Sequence, residues 1–524
     1  MRLHRFSLSS LAIAGAGSLF FQVAYAADLT YAISAPVTSV DPHYQNATPN
    51  TSTLGNIFES LVKNDPSGAV VPGLAVSWEV IDDHTWEFKL AEATFHDGSP
   101  LTAEDVQYSL ERPALVPNSP SPYTIYTRPI IRTEIVDDHT IRLITENPYP
   151  GLIQDLTNLL IVSKSAAESA TTQDFNSGKS AVGTGPFSFV SFTPDDRIVM
   201  KRNENYWGEA PEWDNVTVRF IPNDGARAAA LLSGAVDAIE NVPPPDLPRF
   251  MNSDQIVFEG AKSRRMVFLF LDSGSDRAPT VTANDGSPLA ENPLKDPRVR
   301  KAISLAIDRK ALSERVLMGL GYPTLNIAFD SGEGYLPELD EVPFDPEQAK
   351  GLLAEAGYPE GFRITLATPN NRMLNDEQVA QGIAQMLTQV GIRTEVDAMP
   401  FTVVNTRGGK GEFGFSMMGW GSTLDSGTTV RAIIACKNDE RGWGPVNWGN
   451  YCNPELDELT LKATSTMDSA ERRALYEDVS RMVAEDTAIV PLYFQGMTWA
   501  ARKGIVIEPR ADERTTPATF RPAN

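Results

Sequence analysis

The sequence predicts an α/β protein with more than one domain, and three observations support this fold class. The chain has 524 residues, which is more than one hydrophobic core usually covers. Residues 362–396 contain a strand, a helix and a second strand in succession, a pattern typical of a parallel pair with a right-handed crossover. Alternating runs joined by Asp-Asp at 79–90 and 134–144 predict antiparallel hairpins.

The first 26 residues are predicted to be a cleavable secretory signal peptide. Arg2 and Arg5 give a positive start, Leu11 to Phe21 form a short apolar run, and Ala24-Tyr25-Ala26 is a small-residue cleavage motif. A membrane-spanning helix would need about 20 apolar residues, and this run is shorter. We therefore expect the mature protein to be exported.

In the first half of the chain, a helix is expected from Thr53 to Val62. His84 and His139 lie at the Asp-Asp turns of the two hairpins and are interpreted as turn residues rather than catalysts. Thr102 is predicted to be the N-cap of the next helix. Its hydroxyl can accept from a first-turn N–H, and the carboxylate of Asp105 can accept from the N–H of Thr102 in return.

The second half is predicted to follow a crossover between domains near residue 270. Asp296-Pro297 and Asp345-Pro346 each start a helix, with proline where its missing N–H costs nothing. Strands are expected at 362–368, 392–396 and 413–420, the last in the same sheet. A helix from 470 to 485 and a strand from 489 to 494 complete this half.

Residues 413–452 are predicted to form a buried strand followed by a long polar loop. The loop carries Trp443 and Trp448, and Trp420 stands where the strand ends. Ligands of open parallel sheets bind beyond the carboxyl ends of strands. The flanking Gly, Asn and Pro residues favour a pocket lining for these tryptophans, while burial in a core is the alternative.

Two cysteines, Cys436 and Cys452, close this stretch. An even pair in an exported chain predicts one disulfide, which would stabilise the fold by roughly 3 kcal/mol. A metal site with two cysteines is the alternative, but it lacks nearby histidines.

Two loops at the carboxyl ends of strands carry opposite charges. Arg372 lies in the loop after the 362–368 strand. Asp425 lies in the loop after the 413–420 strand, together with Ser422 and Thr423. An arginine and an aspartate at one sheet edge suit the two ends of a zwitterion. The alternative is that the two pair with each other or cap a helix.

Composition and missing motifs exclude several classes of protein. With 45 basic and 68 acidic residues, and a net charge of −23, the chain is a poor nucleic-acid binder. It contains no nucleophile elbow, zinc-protease or phosphate-loop motif. An exported hydrolase stays open as an alternative, although nothing in the sequence points to one.

Several sequence blocks resemble the extracytoplasmic solute-binding proteins of family 5, the dipeptide, oligopeptide and nickel receptors of ABC importers. They occur in the order of that family along essentially the whole mature chain. His96 falls inside the most specific block, a structural motif of the family, which leaves His43 as the remaining histidine of interest. The blocks are Leu54–Leu61, Phe95–Val106, Gly183–Phe187, Arg202–Trp207, Leu232–Asp237 and Asp296–Ala302.

The resemblance implies a type II periplasmic binding protein clamshell, with two α/β lobes and an extra domain inserted in the first. The ligand would be enclosed when the lobes close on a hinge. After the signal peptide at 1–26, the expected division is 27–65, 180–270 and 490–524 for lobe I, 66–179 for the insert, and 271–489 for lobe II.

In dipeptide receptors of this family, an arginine after an A-x-P-x-x element contacts the ligand carboxylate, and Ala367 to Arg372 matches that element. An aspartate soon after Gly-Trp contacts the ligand amine. Here Asp425 stands later than usual after Gly419-Trp420, and Thr423 lies nearer the expected position. Ser422, Trp420, Trp443 and Tyr44, the last from lobe I, complete the expected ligand-binding set.

The expected function is therefore capture of a di- or oligopeptide, or a similar amino-acid-derived solute, without catalysis or cofactor. The protein would be a monomer that delivers the solute to inner-membrane ABC permease subunits with cytoplasmic ATPases. The alternative ligands are an opine, a sugar-derived compound, a nickel chelate or haem, and few histidines argue against the metal class.

Overall fold

A computed structural model describes residues 27–421 and 425–523. The predicted signal peptide and the two loop residues Ser422 and Thr423 lie outside the described residues. The architecture is mixed α/β, with a large 12-stranded sheet that runs through both lobes and a separate 4-stranded sheet in the insert.

Lobe I contains a mixed sheet built around its first strand. Asp28–Ile33 pairs in parallel with Asn215–Phe220 on one side and with Ala238–Glu240 on the other. An antiparallel hairpin of Phe187–Thr193 and Arg197–Arg202 extends the edge beyond Asn215–Phe220.

Two long antiparallel strands, Ile256–Leu271 and Val490–Arg502, cross between the lobes, and we call them the crossing strands. Their lobe I halves pair with each other, and that of Val490–Arg502 also pairs with Ala238–Glu240. Their register shifts between Lys262 and Met266, where the chain passes from one lobe to the other. The boundaries expected near 270 and 490 fall at the lobe II ends of these strands.

Lobe II continues the sheet from the crossing strands. Phe415–Gly421 pairs antiparallel with the second half of Ile256–Leu271. Arg363–Pro369 runs parallel to it through Ala367 and Ser416, and parallel to Arg393–Met399 along its whole length. The predicted strand–helix–strand unit is thus confirmed. The short strand Val281–Thr282 pairs antiparallel with Arg363–Pro369, and Gly321–Pro323 pairs antiparallel with the crossing strand Val490–Arg502.

The insert is an antiparallel sheet of two hairpins, and both predicted hairpins are confirmed. Ala75–Asp82 pairs with Thr85–Leu90, and Ile130–Asp137 with Thr140–Thr145. The carboxylates of Asp82 and Asp137 accept from the backbone N–H groups two residues later, which fixes the turns.

Three further two-stranded pairs are Glu59–Ser60 with Leu160–Ile161, Val62–Asn64 with Val70–Pro72, and Ile505–Ile507 with Phe520–Pro522.

The α-helices of the described residues belong to both lobes and the insert. In lobe I and the insert they are Thr48–Leu54, Ala103–Glu111, Thr124–Thr127, Leu152–Asp155, Lys164–Ala167, Thr172–Asn176, Asp224–Ser233 and Leu247–Met251. In lobe II they are Pro297–Leu305, Arg309–Ala311, Pro346–Glu355, Asp376–Gln389, Phe401–Gly409, Ser426–Ile433, Pro454–Ser465 and Ser469–Asp486. No helix of the described residues is long and apolar enough to cross a membrane.

The predicted caps explain where several of these helices begin. Asp105 accepts from both the N–H and the hydroxyl of Thr102, each at 2.9 Å. Asp296 accepts from the N–H of Arg298, and Asp345 from the N–H of Gln348, with proline as the first helical residue in both cases. These three predictions are confirmed.

Two predictions about elements are wrong. The helix expected from Thr53 to Val62 is instead Thr48–Leu54, followed by short strands. The long loop expected after the 413–420 strand contains the helix Ser426–Ile433, because Val430 and Ile433 bury an apolar stripe that outweighs its Ser, Gly and Thr residues. The predicted disulfide between Cys436 and Cys452, at the end of this stretch, is formed.

Candidate functional site

A cleft of about 1020 Å³ lies between the two lobes, beside the crossing strands. Lobe I supplies the start of helix Thr48–Leu54 and the loop 240–244. Lobe II supplies the loop 370–376, and the crossing strands supply Arg265 and 495–498. A concave site between two domains, with polar groups from each, is the usual place for a small ligand.

Arg372 is held in the wall of this cleft by its own loop. The carboxylate of Asp376, in the first turn of helix Asp376–Gln389, accepts from the backbone N–H groups of Arg372 and Met373 at 3.0 and 3.1 Å. The side chain of Gln495, on a crossing strand, accepts from the N–H of Leu374. The loop that carries Arg372 is therefore fixed both to the start of helix Asp376–Gln389 and to a crossing strand.

The guanidinium of Arg372 lies over the ring of Phe401, 5.1 Å from its centroid. Within the described residues its side chain makes no hydrogen bond and no ion pair. Burial, and then the nearby charge of Arg265, hold the pKa of Arg372 below its usual range. The charge of Glu513 acts on Arg372 in the opposite direction, but no carboxylate of the described residues contacts the guanidinium, so this desolvated cation is suited to an anionic ligand group.

Arg265 and Glu513 form a buried ion pair at the edge of the same cleft. Glu513 accepts from Nε of Arg265 at 3.1 Å, from Nη2 at 2.5 Å, and from the hydroxyl of Ser263 at 2.8 Å. Glu513 has a φ of 60°, a left-handed conformation that is uncommon outside glycine. The pairing with Arg265 lowers the pKa of Glu513 against the effect of its burial.

Asp425 lies at the start of a lobe II helix rather than in the lining of this cleft. It is the N-cap of helix Ser426–Ile433, and its carboxylate accepts from the N–H and hydroxyl of Thr428 at 2.7 and 3.1 Å. Asp425 is not among the residues that line the cleft. The structure therefore places Arg372 at the cleft and Asp425 in a capping role outside it.

The aromatic candidates also lie outside the cleft lining. Trp443 is 7% exposed and packs in a lobe II core, with Arg441 over its ring. Trp420 packs partly buried against the same core. Tyr44 is partly buried in lobe I, where its carbonyl accepts from Ser119. Large apolar surface explains all three placements, since burying an aromatic ring is favourable wherever the fold permits it.

The histidines of interest have structural roles. His43 is fully buried; its Nε2 donates to the carbonyl of Leu160, and its Nδ1 accepts from Arg112, which also pairs with Asp41. His96 contacts the Gly183–Phe187 block through the backbone of Gly183 and Gly185. No histidine or cysteine is among the described residues that line the cleft. No cluster of metal-ligating side chains occurs in the described part of the chain.

Sequence reasoning missed Arg265 and Glu513. A signal for Arg265 existed, because Lys262-Ser-Arg-Arg265 interrupts an otherwise apolar strand. Glu513 lies 248 residues later, in a segment whose sequence shows no regular pattern, so nothing local connects the two.

Comparison with protein families and with known proteins identifies relatives along the whole chain. Residues 69–440 match the family model described as bacterial extracellular solute-binding proteins, family 5 Middle. The glutathione-binding protein GsiB of Escherichia coli (strain K12) is 28% identical over 518 residues, which cover 96% of each chain.

Solved structures of binding proteins share the fold. AgaA of A. tumefaciens R10, in complex with agropinic acid, is 25% identical with a TM-score of 0.71, over 95% of this chain and 99% of its own. The ABC transporter-associated periplasmic binding protein DppA of Helicobacter pylori, in complex with the peptide STSA, is 24% identical with a TM-score of 0.73, over 95% and 98%. The clamshell fold expected from the sequence is confirmed.

Proposed function

Because the chain belongs to family 5 of the bacterial extracellular solute-binding proteins, and so is a solute-binding component of an ABC importer, we propose that its solute carries a free carboxylate. The solute is a small peptide or a similar amino-acid-derived compound. Arg372 binds the carboxylate in a bidentate fork inside the cleft.

The observation that carries this proposal is the unsatisfied guanidinium of Arg372. Its loop is fixed by Asp376 and Gln495, and its face rests on Phe401, so little entropy is lost when a ligand binds. Among the described residues no carboxylate pairs with it, which leaves its two-pronged donor edge for a ligand. Closing the lobes would remove water and strengthen that ion pair.

The relatives support the class of solute. GsiB is a glutathione-binding protein and DppA was solved with a peptide, and both ligands are peptides. A non-peptide acid is the second candidate. It is favoured by the capping role of Asp425, because the aspartate expected to receive a peptide amine is engaged with Thr428. AgaA, solved with agropinic acid, gives a precedent for such a ligand.

We further propose that the protein is a periplasmic monomer that binds without catalysis and delivers its solute to an inner-membrane permease with cytoplasmic ATPases. Its relatives are binding proteins rather than enzymes. The signal-peptide pattern of residues 1–26 supports export.

The test begins with the solute that the native protein carries. Protein purified without denaturation is unfolded, and the released small molecules are identified by mass spectrometry. The solute is then titrated into the wild type, Arg372→Gln, and the control Arg393→Gln, an exposed arginine that starts the neighbouring strand.

Loss of at least about tenfold in affinity for Arg372→Gln alone supports the proposal, since a charge-assisted hydrogen bond contributes roughly 1.5–3 kcal/mol. N-acetylation of a peptide solute separates the two candidates. Equal affinity for the acetylated form shows that the site recognises no amine, as the second candidate requires, whereas weaker binding of the acetylated form supports a peptide. A solute without any acidic group would overturn the role of Arg372.

A further inference from the structure

A second cavity of about 230 Å³ adjoins the cleft, and we call it the side cavity. Its lobe I and insert wall is polar and uncharged, and its opposite wall comes from a crossing strand and the C-terminal segment 511–514. Thr48, Arg265 and Glu513 line both spaces, so the two meet around the Arg265–Glu513 ion pair.

The register shift of the crossing strands aims a second arginine at this cavity. Between Lys262 and Met266 the strand contains more residues than its partner between Gly496 and Phe494. The residues in between therefore bulge out of the sheet, and a bulge redirects the side chains that it carries. Arg264 lies in this bulge and is among the residues that line the side cavity; its N–H donates to the carbonyl of Ala511, and its guanidinium lies beside Gly68.

Arg264 has no carboxylate of the described residues in direct contact with its guanidinium. Its guanidinium makes no hydrogen bond and no ion pair within residues 27–421 and 425–523. The two nearby carboxylates already have partners: Arg510 donates twice to Asp512, and Arg265 donates twice to Glu513.

Arg514 adds another cation to this wall. One of its nitrogens donates to the side chain of Asn158 at 2.9 Å, and its nearest approach to Asp512 is 3.9 Å. The side cavity thus carries an excess of positive charge in a protein whose net charge is −23. Such a local reversal of sign attracts anions into a concave space.

We propose that the side cavity is a second anion subsite, where Arg264 and Arg514 bind an acidic group of the solute whose carboxylate binds Arg372. This inference rests on the proposed function and narrows it to solutes with two acidic groups. An acidic tripeptide or a γ-glutamyl peptide has this chemistry. Its backbone would pass the Arg265–Glu513 pair on the way from the cleft to the side cavity.

The energetics of the unliganded protein support the assignment. Burial lowers the pKa of Arg264, and the charges of Asp512 and Glu513 oppose this effect only in part, so holding the charge still carries a net cost. Replacing a buried, unpaired cation by a neutral amide relieves that cost. A residue kept for stability would behave in the opposite way, because its removal would lower the melting temperature.

The experiment uses two pairs of probes that differ by one acidic group: Ala-Glu-Ala with Ala-Gln-Ala, and glutathione with its glycine monoethyl ester. Isothermal titration gives the affinity of each probe for the wild type, Arg264→Gln, Arg372→Gln, and the control Arg249→Gln, an exposed arginine of lobe I. Thermal unfolding without ligand is recorded for all four proteins.

The expected result is that the wild type prefers the acidic member of at least one pair by about tenfold or more, and that Arg264→Gln reduces this ratio to near one. The unliganded melting temperature of Arg264→Gln stays equal to or above that of the wild type. Arg249→Gln changes neither quantity.

Three outcomes would overturn the subsite: no acidic probe binds the wild type, the ratio survives in Arg264→Gln, or that variant melts earlier and loses affinity for both members equally. The proposed function is judged separately. If Arg372→Gln weakens binding of Ala-Gln-Ala while Arg264→Gln leaves the ratios unchanged, the carboxylate site stands and only the second subsite fails. If Arg372→Gln has no effect on any bound probe, the proposed function fails as well.

Discussion

Arg265 and Glu513, 248 residues apart in the chain, form a bidentate ion pair that ties the lobe crossover to the C-terminal segment. Both side chains are mostly buried, with 14% and 17% of their surface exposed. The pair lines the cleft and the side cavity at once. It therefore contributes both to the stability of the hinge region and to the shape of the binding site.

Glu513→Gln should lower the free energy of unfolding of the unliganded protein by about 3 kcal/mol, because it leaves Arg265 buried without an anion. Urea denaturation measures this change. Glu508→Gln is the matched control, because Glu508 forms an exposed pair with Arg521 in the same C-terminal segment. That control should change stability by less than about 0.5 kcal/mol, and equal effects of the two substitutions would contradict the prediction.

The cap at Asp425 gives a second prediction. Asp425→Ala should destabilise the protein by about 1 kcal/mol, because the N–H of Thr428 loses its acceptor. Asp425→Ser keeps a capping oxygen and should retain both stability and affinity for the co-purified solute. If Asp425→Ser keeps stability but loses affinity, the carboxylate serves the ligand as well as the helix.

Much of the fold could be predicted because its signals are local. The turns after Asp82 and Asp137, and the caps Thr102, Asp296 and Asp345, depend on residues within a few positions of each other. These signals do not depend on how the rest of the chain folds.

The sequence predicts a loop where the structure has the helix Ser426–Ile433, because the first residues of this segment have low helix propensity. The apolar spacing from Val430 to Ile433, after an N-cap aspartate, was the signal that could have found it. Packing against the lobe II core then stabilises the helix despite its composition.

The candidate site could be predicted only in part, since the cleft is made by segments far apart in sequence. Arg372 follows a strand whose end is recognisable, so its position could be inferred. Arg264 and Arg265 line the cavities at the point where the pairing of the crossing strands shifts in register. That register shift depends on the pairing of two strands more than two hundred residues apart, which a single sequence does not reveal.

His43 should make the protein less stable as the pH falls. Burial lowers its pKa to about 4, whereas an unfolded histidine titrates near 6.5. Between these values the unfolded chain binds a proton that the folded protein does not, so stability rises with pH across this window. His43→Gln can keep both hydrogen bonds and should flatten this dependence. The exposed His84→Gln is the control and should leave the curve unchanged; a steep curve in His43→Gln would contradict the prediction.

Asp155 should give stability the opposite dependence on pH, so the contributions of Asp155 and His43 can be measured separately. It lies in the insert, its carboxylate accepts from the hydroxyl of Tyr149 at 2.6 Å, and burial raises its pKa to about 7. Because an unfolded aspartate titrates near 3.8, the folded protein binds the extra proton between these values, and stability falls as the pH rises through them. Asp155→Asn mimics the protonated acid, so it should be more stable than the wild type at pH 8 and nearly equal to it at pH 4. Chemical denaturation of both proteins at the two pH values measures this difference. A constant difference would show that Asp155 titrates in the folded protein as it does in the unfolded chain.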